Sequence, residues 1–240
     1  MSQHWYDKDG QPAYTILGAN GKERATTLRD AKKHGYVPSV TTILGLLHKP
    51  GLETWKLQNM LLVALTLPRE DGESETDWIE RVMQDSKATG KEAMDRGSRM
   101  HDVLEKFYIY RNKTPQIWPS YCIEIDRTLV GHFQTQDWIP EKSFFDPMGF
   151  GGKVDLHADG IVVDFKSKEG SLDDVKAYNE QIMQLAAYRA GLGMPKARCA
   201  NVYFTESGDV KLIEHSEEDL TNSFNCFMYL LGYFKLSKGL

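Results

Sequence analysis

Two periodicities alternate along the chain. Val40 to Leu47 and Thr54 to Leu65 carry apolar residues at helical spacing, and Asp77 to Arg111 is rich in helix formers, with Gly90 and Gly97 as expected interruptions. Between them, Leu67 to Thr76 is polar and acidic and reads as a surface loop. From Ser143 the character changes. The segment FFDPMGFGGKVDLHADGIVVDFKS alternates, is rich in glycine and β-branched residues, and contains the turn pair Asp159-Gly160. Helical spacing returns over Leu172 to Leu192. Cys199 to Thr205 and Val210 to His215 then predict a hairpin about Ser207-Gly208-Asp209, and Glu217 to Phe234 a closing helix. The order is helices, strands, helix, strands, helix. A length of 240 residues suits one large domain, or one domain with a substantial insertion.

The strands around Asp159-Gly160 carry the chemistry. If those two residues form the loop, Ala158 faces Ile161, and counting outward sets Asp155 opposite Asp164 and Lys153 opposite Lys166. One face then holds Val154, Leu156, Ala158, Ile161, Val163 and Phe165, all apolar. The other holds both acids and both lysines, with His157 and Val162 nearer the turn. Opposed carboxylates repel and add nothing to sheet stability. On one reading this is a solvated face whose acids are screened by water and paired with the lysines. On the other, two carboxylates and a backbone carbonyl hold a hard cation such as Mg²⁺ or Mn²⁺, which keeps waters that a substrate phosphate can displace. Lys166 points to the same face, where an ammonium can orient or help deprotonate an attacking water and stabilise charge developing on phosphate.

Composition narrows the possibilities. Hydrophobic residues at 41% and charged residues at 26% are ordinary globular usage. No stretch approaches the about 20 apolar residues of a membrane helix, and the opening MSQHWYDKDG lacks the plan of a signal peptide, so a cytoplasmic location with no membrane partner is expected. Cys122, Cys199 and Cys226 are too scattered for a zinc or disulfide framework and are expected to be buried free thiols. A net charge of −5 disfavours nucleic-acid binding through bulk positive charge alone, although residues 1–50 carry seven basic against four acidic side chains.

Asp155, eight residues, then Asp164-Phe165-Lys166 resembles the signature of the PD-(D/E)XK nuclease superfamily. Gly151-Gly152-Lys153-Val154-Asp155 resembles its glycine-led strand, and Gln184 to Tyr188 the QxxxY helix of its RecB-like branch. Arg96 to His101 resembles that branch's Gly-xxx-His helix, and Pro38-Ser39-Val40-Thr41 the opening segment of its exonucleases. Within the branch the chain is most similar to phage and mitochondrial genome maintenance-type exonucleases. The resemblance implies a metal held by His101, Asp155, Asp164 and the carbonyl of Phe165, with Lys166 as the catalytic lysine beside the two acids. A valine precedes the first acid where the motif name has proline. No iron-sulfur cluster is expected, since three cysteines cannot supply four ligands. With no GxxxxGK(S/T) loop, any unwinding motor would be a separate chain.

Other residues have two readings each. Gln184 and Tyr188 either edge the core or hold and brace substrate. Glu141 is either a helper acid or a solvated strand-edge charge; Glu105 shares a helical face with His101 and is a supporting candidate. Ser39 and Thr41 either cap a helix beginning near Val40 or, with its free amides, hold a DNA phosphate; Arg96 is a further substrate-binding candidate. Tyr36, Trp55, Trp78 and Trp118 are candidates for base stacking. The expected fold is α/β, a central mixed β-sheet flanked by helices (a restriction-endonuclease-like core) with a helical N-terminal portion. Residues 1–140 would be a mainly helical wall and 141–240 the catalytic sheet and helices of a single nuclease domain. The expected function is metal-dependent hydrolysis of DNA from single-stranded ends, in a bacterial or phage-infected cell. Recombination or single-strand-binding proteins are the expected partners beside DNA. A structure-selective or restriction-like endonuclease and a catalytically silent DNA-binding module are the alternatives.

Overall fold

The computed structural model describes residues 4–113 and 116–240. The chain forms two compact units, one of Met1–Leu47 with Val103–Leu240 and the other of His48–Asp102.

The first unit begins with short elements: β1 (Trp5–Tyr6), β2 (Thr15–Leu17), β3 (Glu23–Ala25), α1 (Leu28–His34), β4 (Val37–Pro38) and α2 (Val40–Leu44). β1 pairs with β4 and β2 with β3, both antiparallel. These strands of two or three residues are absent from the helical reading of the N-terminal part, because a period of two cannot be recognised over so few positions. α1 opens with a capping box between Thr27 and Asp30 and stops at Gly35.

The second unit contains α3 (Pro50–Thr66) and most of α4 (Glu75–Tyr110). The expected interruptions do not occur: α4 runs through Gly90 and Gly97. Each glycine costs a helix about 1 kcal/mol relative to alanine, which a 36-residue helix absorbs. At Gly90 the Trp55 ring lies 3.7 Å from where a Cβ would stand, an ordinary contact distance. Asn59 ties α3 to α4 by donating to the Ser86 carbonyl at 3.1 Å.

Back in the first unit follow α5 (Ser120–Phe133), β5 (Ile139–Asp146), β6 (Phe150–Ala158), β7 (Ile161–Ser167), α6 (Asn179–Gly191), β8 (Arg198–Phe204), β9 (Val210–His215) and α7 (Glu217–Lys238). The five strands form one mixed sheet in the order β5-β6-β7-β8-β9, antiparallel throughout except for parallel β7 and β8, which α6 joins. Leu185 to Tyr188 of α6, Phe227, Leu231 and Phe234 of α7, and Val40, Ile43 and Leu44 of α2 share a buried cluster with Phe150, Val154, Val162 and Cys199. Phe165 of β7 instead stacks on Tyr108 at the end of α4, with centroids 6.2 Å apart. Helices thus flank the sheet.

α6 starts at Asn179 rather than near Leu172; the Lys211 ammonium donates to the carbonyls of Leu172 and Asp173, and that segment stays irregular. Cys226 is exposed, whereas Cys122 and Cys199 are buried as expected. Cys226 lies on a helix face turned to solvent. No helix among the described residues is long and apolar enough to cross a membrane.

Candidate active site

The hairpin turns at Asp159-Gly160, with Gly160 at φ 67, and pairs Ala158 with Ile161, His157 with Val162 and Leu156 with Val163. There the ladder ends. Asp155 and Asp164 do not continue it; the Phe165 amide donates to Asp155 Oδ2 at 2.8 Å. Two opposed carboxylates repel, and a strand amide given to one of them stabilises that charge better than an extended ladder would. Across β5 the pairs Pro140–Leu156 and Lys142–Val154 bracket Glu141 and Asp155, and Glu141 holds φ 56, in the left-handed region. The pairing stops before Lys153 and Lys166, and Lys153 forms an ion pair with Glu141.

The solvated-face reading fails at Asp164, which is 1% exposed, because β7 is the central strand and helices cover it. Its carboxylate is surrounded by donors. Lys166 Nζ lies 3.0 Å from Oδ1 and 2.8 Å from Oδ2, Gln184 Nε2 donates to Oδ1 at 3.0 Å, and Asn201 Nδ2 to Oδ2 at 2.8 Å. Gln184 Nε2 also lies 2.9 Å from the Tyr188 hydroxyl, and Gln184 Oε1 accepts from Lys166 at 3.3 Å. Gly152 makes this close approach possible: a Cβ there would stand 2.9 Å from the Tyr188 ring and 2.8 Å from Phe144.

Burial pushes the Asp155 carboxyl up to about 7, with the neighbouring Asp164 charge adding to it and Lys166, the Phe165 amide and Lys153 opposing. Burial alone would lower the Lys166 ammonium, but Asp164 and Asp155 outweigh it, and its pKa stands above the ordinary lysine value. Lys166 is therefore a charged donor. The Tyr188 phenol is raised well above its usual range, by burial first and then by the two acids. Glu141 is raised by burial, opposed by Lys153 and reinforced by Asp155 and Glu105.

The remaining candidates are divided between the two units. Arg96 and His101 lie on the stretch of α4 within the second unit, whereas Glu105, one turn on, belongs to the first. The Ser39 hydroxyl accepts the Thr42 amide at 2.9 Å as the cap of α2 and exchanges hydrogen bonds with the Thr41 and Thr42 hydroxyls. Trp78 donates its indole N–H to the Leu67 carbonyl, and Trp118 packs edge-on against Phe107. Asn201 escaped the sequence reading. Its signal was available: it is the lone carboxamide among the apolar residues of β8.

Among the described residues no group of three or more His, Cys, Asp or Glu side chains gathers as a closed metal cage. Two neighbouring acids with excess negative charge nonetheless fit Mg²⁺, which is commonly held through one or two carboxylates and keeps its other positions for water and phosphate.

No family model and no curated protein matches the chain. Solved structures do. The crystal structure of the protein SSO0001 is similar at 14% identity and a TM-score of 0.30, covering 75% of this chain and 86% of its own. An alkaline exonuclease from Laribacter hongkongensis is similar at 17% identity and a TM-score of 0.28, covering 59% of this chain and 86% of its own. Likenesses this distant decide neither fold nor chemistry, and both rest on the residues above.

Proposed function

We propose that the chain is a metal-dependent deoxyribonuclease that hydrolyses phosphodiester bonds, acting as an exonuclease on single-stranded DNA ends. The observation that carries this reading is the buried contact of Lys166 with Asp164, beside an Asp155 whose acidity is suppressed by burial and by that same neighbour. A purely structural ion pair has no use for the second acid.

Asp155 and Asp164 are the residues that would hold Mg²⁺ or Mn²⁺, with the Phe165 carbonyl and His101 as the further ligands the motif implies. When bound, the cation supplies polarisation of the phosphate and a lowered pKa for water. The protein supplies the rest. Lys166, a permanent ammonium, donates to the attacking water or to a non-bridging phosphate oxygen, and stabilises charge without acting as a base. Gln184, braced by the Tyr188 phenol, keeps Lys166 and Asp164 in register. DNA ends exposed during recombination or repair in a bacterial or phage-infected cytoplasm are the substrate this assigns.

The test is digestion of 5′- and 3′-labelled linear, nicked and circular DNA with Mg²⁺, Mn²⁺ or EDTA. Cation-dependent loss of label from linear single strands, with circles untouched, supports the reading. Cutting of circular single strands replaces it with an endonuclease, and no cleavage with either cation ends it.

A further inference from the structure

A line of buried polar groups leads away from Asp164 through β8 to β9. Asn201 is Asp164's partner on the parallel neighbour β8, and its amide Nδ2 lies 2.8 Å from Asp164 Oδ2. Asn201 Oδ1 in turn lies 2.8 Å from Nε2 of His215, the last residue of β9. Asn201 is fully buried and His215 is 9% exposed. Ala200 and Val202 flank Asn201 on β8, whereas Glu214 and Ser216 flank His215.

The direction of every hydrogen bond in this line is forced. A carboxylate only accepts, so the Asn201 amide must turn its NH₂ to Asp164 and its carbonyl to His215. A carbonyl only accepts, so His215 must carry its proton on Nε2. Burial lowers the His215 pKa, which favours the neutral ring. The reverse arrangement would set the Asn201 carbonyl against the Asp164 carboxylate. Neither residue reaches Lys166 or Gln184, so neither belongs to the cluster that meets the substrate. Each acts through Asp164.

We infer that Asn201 and His215 form a positioning pair that fixes the orientation of the Asp164 carboxylate, and thereby the geometry with which Asp164 meets a divalent cation. This rests on the proposed role of Asp164. The pair does for the acid what a carboxylate or carbonyl does for a metal-binding histidine: it locks the ligand from behind, where loss typically costs about 10- to 100-fold in metal affinity or activity. A buried Asn and His present only to fill a core would each leave polar atoms to satisfy, for which apolar residues of similar size serve better.

The experiment compares the full chain with Asn201→Ala, His215→Ala and His215→Gln, whose side-chain amide restores an N–H near the position of Nε2. Thermal melting checks the fold, binding of Mn²⁺ alone is followed by its electron paramagnetic resonance signal, and linear single-stranded DNA reports cleavage. Asn201→Ala and His215→Ala should weaken Mn²⁺ binding by about 10-fold or more while His215→Gln recovers most of it. The ¹⁵N spectrum of His215 in metal-free protein should show the Nε2–H tautomer. Folded alanine variants that bind Mn²⁺ as tightly as the parent chain, or a His215 protonated on Nδ1 alone, overturn the inference. If Asn201→Ala does not fold, His215→Ala decides. A parent chain that neither binds Mn²⁺ nor cleaves DNA overturns the nuclease reading itself, an outcome told apart because it precedes any substitution.

Discussion

The two compact units place apolar and polar residues by opposite rules. In the sheet unit, Asp164 and Gln181 enter the interior with partners: Asp164 has three side-chain donors, and Gln181 accepts both the Tyr203 hydroxyl at 2.6 Å and the Tyr178 amide at 2.9 Å. In the helical unit, α3 buries none of its residues, and Leu57, Leu61, Leu62 and Leu65 are 63, 64, 63 and 82% exposed. Hydrophobicity alone therefore does not fix what is inside. Burial follows from which neighbours the chain topology supplies, and a strand in the middle of a five-stranded sheet has them on every side.

Substitutions at matched positions test that contrast. The largest effect is expected at the acidic centre, where Asp164→Ala should abolish cleavage and Lys166→Ala should lower it by about 10²- to 10³-fold. Both are read by labelled-DNA digestion on protein whose circular dichroism is unchanged. Next in size, Phe150→Ala should lower stability by about 3–5 kcal/mol in urea denaturation, because the ring is fully buried against Phe227 and Phe144.

The pH dependence comes from Asp155. Its folded-state pKa, near 7, lies above the unfolded value, so the folded chain binds the extra proton more readily. That contribution is fully present below about pH 4 and is lost as pH rises towards 7. Metal-free protein should lose stability over that window, and Asp155→Asn should flatten the profile; a parent profile rising through the same range would contradict the assignment. Further down the scale, Ser216→Ala should remove about 1 kcal/mol by deleting the hydroxyl that accepts the Asp219 amide at 3.0 Å as the cap of α7. At the bottom, Leu61→Ala on α3 should change stability by about 0.5 kcal/mol or less. A loss comparable to that of Phe150→Ala would erase the contrast between the units.

The parts of the fold legible in the sequence were the local ones. The hairpin register follows from a two-residue turn and needs no knowledge of the rest of the chain, and the strands about Ser207-Gly208 follow the same logic. The expected face-to-face acids were half right. The pair does come together, but the ladder ends one step early and the Phe165 amide goes to Asp155. Asn201 stood out as the lone carboxamide of β8, but its partner was hidden for a different reason. Parallel strands take their register from the crossover between them, so nothing local to β7 or β8 says that Asp164 meets Asn201. The uninterrupted α4 shows another limit, since a glycine's cost of about 1 kcal/mol is small beside what the rest of a 36-residue helix supplies.

Asp164 draws its neighbours from β7, α6 and β8, and through Asn201 from the end of β9. A growing chain on the ribosome that has released β6 and β7 already contains both acids and the lysine, yet it lacks the strand and helix that shut water out from around them. Such a fragment has the reactive groups without their alignment. The arrangement of the acidic centre is thus timed by synthesis: it is completed only after position 215 has emerged, long after the motif itself.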